Sequence, residues 1–112
     1  MDPMNRQEYF KFHQDLCDEA LELSKRKNAD YAGADGNHPF ANFTRCENMG
    51  ICTTEKGFLV RLTDKMSRLS TFSETGQFMV ADESFRDTLI DVVNYICLLG
   101  AYVEAKKNER HR

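Results

Sequence analysis

At 112 residues, 29% charged and 41% hydrophobic, the chain is sized for one domain with a modest core. Its formal charge of −3 excludes a strongly basic nucleic-acid or anionic-membrane binder. No uninterrupted apolar run approaches the roughly 20 residues that span a bilayer, and MDPMNRQEYFKFHQDL is too charged for a signal-peptide core. The expectation is therefore a cytoplasmic protein with no membrane association and no nucleic-acid polymer as partner.

Chain order gives three long helices. The first is predicted over about Arg6–Asn28, approached by Pro3, with Phe10, Leu16, Cys17, Ala20, Leu21 and Leu23 as its apolar face. Its acids precede Lys25, Arg26 and Lys27, as the helix dipole favours. From Ala29 to Glu55 the period breaks. Gly33, Gly36, Pro39 and Gly50 punctuate an irregular insert in which only 40–48 suggests a helical turn. So long an insert in so small a domain points to function or disorder, and Tyr31, Phe40 and Phe43 argue against disorder. A second helix begins near Thr54, where TTEKG offers a cap, with Phe58, Leu59, Leu62, Met66 and Leu69 facing the core. The turn around Gly76 leads to a third, capped by Asp82 or Ser84 and running to about Lys107. Gly100 inside it suggests close helix packing.

The fold class is all-α: three long helices plus a short helical insert in a single domain spanning 1–112. Such a core leaves apolar side chain uncovered. Pairing with further copies of the chain, as a homo-oligomer, would complete a four-helix-type bundle. Cys17, Cys46, Cys52 and Cys97 read as free thiols, with Cys17 and Cys97 filling buried helical positions. Without a CxxC or paired histidines, zinc is not indicated.

The third helix carries an apolar face (Phe85, Leu89, Val92, Val93, Ile96, Leu99) and a second stripe. Glu83, Asp87, Asp91 and Asn94 fall at i, i+4, i+8 and i+11, within about 80° of one another. Two readings stand side by side. The stripe is a solvated acidic face, or it supplies hard oxygen ligands to a divalent ion such as Mg2+. On the second helix Asp64 lies among Arg61, Lys65 and Arg68. These form surface ion pairs, or else Asp64 is a further metal ligand while the three cations face phosphates. In the insert, Lys27, Asn28, Asp30 and Tyr31 fit a helix C-terminus and turn. Aromatics interleaved with amides, Tyr31, Asn42 and Phe43 among them, also suit a base-binding pocket.

The blocks KNADYAG, PFANF, VRLTDKMSRL and DESFRDTLIDVVNYICLL, in that order over about Leu23–Leu99, resemble a phage- and bacteria-borne nucleotide-modification-associated domain. That domain in turn is similar to the all-α nucleoside triphosphate pyrophosphohydrolases of the MazG and dimeric dUTPase type. The resemblance implies an oligomeric helical bundle that uses Mg2+ to convert a nucleoside triphosphate to monophosphate and pyrophosphate, in phage nucleotide metabolism or DNA base modification. Carried over residue by residue, it implies Glu83, Asp87 and Asp91 as catalytic, with Asp64, Glu83, Asp87 and Asp91 holding the metal. Nucleotide binding then falls to Lys27, Asn28, Asp30, Tyr31, Asn42, Phe43, Arg61, Lys65, Arg68 and Asn94. The wider superfamily's EExxE block is replaced here by LTDKMSR, and the acids of the third helix are four rather than three apart. The alternative reading is accordingly a non-catalytic protein that sequesters a nucleotide or nucleotide-derived signal, or assists a base-modification pathway.

Overall fold

The computed structural model describes residues 3–31, 39–76 and 85–110, and these contain four helices and no strand. They are α1 (Arg6–Tyr31), α2 (Ala41–Asn48), α3 (Thr54–Thr75) and α4 (Phe85–Arg110). The all-α expectation and the short helix in the insert are both met. The capping positions Asp82 and Ser84 lie outside the described residues.

Local chemistry sets most of the ends. At the start of α1, Asn5 Oδ1 accepts from the Glu8 amide at 2.9 Å, and Asn5 Nδ2 donates to Glu8 Oε1 at 3.0 Å. That reciprocal pair is an N-cap like a capping box, with the return bond to the Asn5 side-chain amide instead of its backbone N–H. α1 then runs three residues past the expected end at Asn28, because Ala29, Asp30 and Tyr31 contain no helix breaker. The insert therefore starts later than its composition suggested. α2 closes in a Schellman motif: Gly50 at φ +76° sends its amide to Glu47, and Ile51 sends its amide to Cys46, both at 2.9 Å. Thr53, the first residue of TTEKG, caps α3 by accepting from the Lys56 amide at 3.2 Å, and the helix starts at Thr54 as expected.

α4 is the spine. It packs against both α1 and α3, while α2 packs on α3, and α1 and α3 make no direct backbone approach. The result is an open layer rather than a closed bundle, 54 × 29 × 28 Å in extent. Its radius of gyration is 16.6 Å, against about 13 Å for a compact chain of this length.

The core is correspondingly thin. Among the described residues Ala20, Phe58, Phe72 and Ile90 are its buried apolar members, joined by the fully buried Thr54 and Thr88. The aromatics hold it together: Phe43 stacks on Phe58 at 4.0 Å, Phe40 meets Tyr102 edge-on at 5.5 Å, and Phe72 meets Phe85 edge-on at 5.5 Å. Several positions expected to face the core do not. Phe10 and Leu21 on α1, Leu59 and Met66 on α3 and Ile96 on α4 are all more than half exposed. Helical period locates an apolar stripe but not whether a partner covers it. Cys97 is exposed rather than buried, and a Cβ at Gly100 would meet nothing within 4 Å, so neither marks helix packing inside one protomer.

α4 also combines length with apolar composition. Its segment 85–109 is long and apolar enough in composition to cross a membrane, although scattered charges interrupt any continuous run. Only 11% of its most apolar 18-residue window is buried.

Candidate functional site

A cavity of about 330 Å³ opens where the C-terminal half of α1, the start of α2, the middle of α3 and the centre of α4 come together. α1 contributes Ser24, Lys27 and Asn28, and the approach to α2 contributes Pro39, Ala41, Asn42 and Phe43. Arg61 comes from α3, and Asp91, Asn94, Tyr95 and Leu98 come from two turns of α4. Lys27 and Asn28 both lie inside α1, one turn before its end.

Asp91 is the electrostatic centre. Its Oδ2 receives Lys65 Nζ at 2.9 Å, and Lys27 Nζ stands 3.9 Å from Oδ1. The Asp91 and Lys65 side chains are only 16% and 15% exposed, whereas Lys27 is half exposed. A carboxylate this sheltered needs a counter-ion, and the protein supplies one from each neighbouring helix. Lys65 is within hydrogen-bond reach. Lys27, at 3.9 Å, is beyond it and lines the cavity with its side chain half exposed.

The aromatic wall is rigid on one side. Phe58, fully buried, covers one face of Phe43, and Tyr95 meets Phe43 edge-on at 6.1 Å. A planar ligand therefore has the remaining face or edge of Phe43 to use.

Of the residues singled out in the sequence, the cavity gathers Lys27, Asn28, Asn42, Phe43, Arg61, Asp91 and Asn94, with Lys65 joined through Asp91. Arg68, two turns beyond Arg61, does not line it, nor do Asp64 and Asp87, which are exposed. Asp30 and Tyr31 end α1, but their side chains, like the whole of Glu83, lie outside the described residues. Ser24, Pro39, Tyr95 and Leu98 were missed. For two of them the signal was present: Tyr95 and Leu98 follow Asp91 at i+4 and i+7, on one helix face.

The donor set does not by itself fit a magnesium ion. Among the described residues no three or more His, Cys, Asp or Glu side chains converge. The one sheltered carboxylate is already bonded to an ammonium. The described site is instead a cationic pocket with a single internal acid, three amides and an aromatic wall. No family profile, curated protein or solved structure matches this chain.

Proposed function

We propose that this cavity binds a nucleotide. Its phosphate rests on Lys27 and Arg61, and its base and sugar meet the amides of Asn28, Asn42 and Asn94 and the open side of Phe43. The observation that carries the reading is convergence. Four helices separated in sequence deliver two cations, three amides and a held aromatic ring to one cavity of about 330 Å³, within the range of small-molecule sites. Guanidinium and ammonium groups suit phosphate oxygens, and amides suit base edges.

Magnesium-dependent hydrolysis to monophosphate and pyrophosphate is the second reading. It is favoured by the ordered sequence blocks and by Asp87, one helical turn before Asp91 on α4. One set of incubations separates the two. The protein is mixed with each NTP and dNTP in the presence of Mg2+, products are separated by ion-exchange chromatography, and binding is measured in parallel by calorimetry. Heat of binding without monophosphate supports a sequestering protein, and stoichiometric monophosphate and pyrophosphate support the hydrolase. Neither heat nor product with any nucleotide overturns the nucleotide reading.

We also propose that a second copy of the chain covers the open layer as a homodimer. The chain exposes 8712 Å², about 2,400 Å² more than the roughly 6,300 Å² of a compact protein of its mass. An excess of that size on each protomer matches what obligate homodimers bury. Leu59, Val60 and Met66 on α3 and Ile96 and Val103 on α4 are the apolar side chains it would cover. Light scattering during size exclusion decides it, and a monomeric mass at micromolar concentration overturns it.

A further inference from the structure

Resting on the nucleotide reading, we infer that the cavity is matched to a nucleoside monophosphate and discriminates against the corresponding triphosphate unless a divalent cation accompanies it. The argument is one of charge and size. Asp91 is held by Lys65 at 2.9 Å, and both side chains are more than four-fifths covered, so that pair is close to neutral as seen from the cavity. What faces a ligand is then Lys27 and Arg61. Two cations balance one phosphate monoester, which carries about two negative charges above its second pKa near 6. A triphosphate brings the same terminal group and a further negative charge on each remaining phosphate. No described lining residue supplies a cation for them. In a cavity walled by Phe43, Tyr95 and Leu98, uncompensated charge is costly. The volume agrees: about 330 Å³ lies at the small end of ligand cavities.

The test is titration calorimetry with the mono- and triphosphates of adenosine, guanosine, cytidine, uridine and thymidine, in EDTA so that no divalent cation offsets the extra charge. The full chain is used. For the base that binds best, the monophosphate is expected to bind at least about tenfold tighter than the triphosphate, the change that losing one charged contact produces. Asp91→Asn, nearly identical in shape, raises the positive charge of the site by one and should shrink that ratio at least threefold. Lys27→Met, on a half-exposed side chain and independent of whether D91N folds, should weaken monophosphate binding about tenfold. A triphosphate that binds as tightly as the monophosphate in EDTA overturns the inference, as does a monophosphate affinity unchanged in K27M. Absence of binding by every mono- and triphosphate overturns the nucleotide reading itself, a different result from binding with the wrong preference.

Discussion

The strongest quantitative claim about this fold concerns Lys65 and Asp91, and a double-mutant cycle measures it. The perturbations are Lys65→Met, which keeps the aliphatic stem and removes the charge, and Asp91→Asn, which keeps the shape. The pair is 2.9 Å apart with both side chains about 85% covered. It is not fully buried, and Lys27 at 3.9 Å still faces Asp91 when Lys65 is gone. Breaking a fully buried pair costs about 3–5 kcal/mol, and an exposed one well under 1 kcal/mol. Between those limits, with a second cation in reserve, K65M should cost about 2–3 kcal/mol, and the coupling energy should be about 1.5–2 kcal/mol. Urea unfolding followed by circular dichroism at 222 nm gives the four free energies. The slope should stay constant across them, since a small single domain unfolds as one unit. A coupling energy below about 0.5 kcal/mol would mean that the two charges behave as a solvated surface pair. The account of Asp91 as a sheltered, counter-ion-dependent carboxylate would then be wrong.

Three further outcomes follow from single side chains, each read in the same unfolding assay. Phe58→Ala removes a side chain with no exposure that stacks on Phe43, and should cost about 3–5 kcal/mol. A loss below about 1 kcal/mol would show that α2 is not docked through this stack. Thr54 is fully buried and its Oγ1 has no hydrogen-bond partner among the described residues, so Thr54→Val should be neutral or stabilise by up to about 1 kcal/mol, and clear destabilisation would show that the hydroxyl is satisfied. Asn5→Ala deletes both side-chain bonds of the α1 N-cap and should cost about 1 kcal/mol, with no change in nucleotide affinity, because Asn5 lies about six turns from Lys27 along α1.

Helix identity was legible because it rests on period, caps and breakers, all local in the sequence. Gly76 shows this well: it ends α3 at φ +66° with its amide on Phe72, where the glycine alone marked a turn. The basic residues of the second helix were likewise legible as a set. Their fate was not. Arg61 reaches the cavity, Lys65 reaches Asp91, and Arg68 reaches neither, although the three lie within about 60° of one helix face. Which turn of α3 stands opposite which turn of α4 is a matter of tertiary register, and no periodicity encodes it. The same limit explains Leu59 and Met66, whose stripe was visible while the missing cover was not.

The acidic stripe of α4 rests on a physical premise that more than one kind of cation can meet. A carboxylate drawn into a half-buried position does require positive charge beside it. In the sequence the nearest candidates for that charge lay on other helices, so a bound metal ion was the simplest supplier. Folding brings the charge from the chain itself: Lys27 from α1 and Lys65 from α3 meet on Asp91 of α4. This has a structural consequence, because α1 and α3 make no direct backbone approach and are related only through α4. Asp91 is therefore where charges from all three long helices meet, on the wall of the proposed nucleotide cavity. An anion that engages Lys27 competes with Asp91 for it and at the same time ties α1 to Arg61 of α3. In the proposed site Asp91 is the internal anion whose place beside Lys27 a phosphate would share.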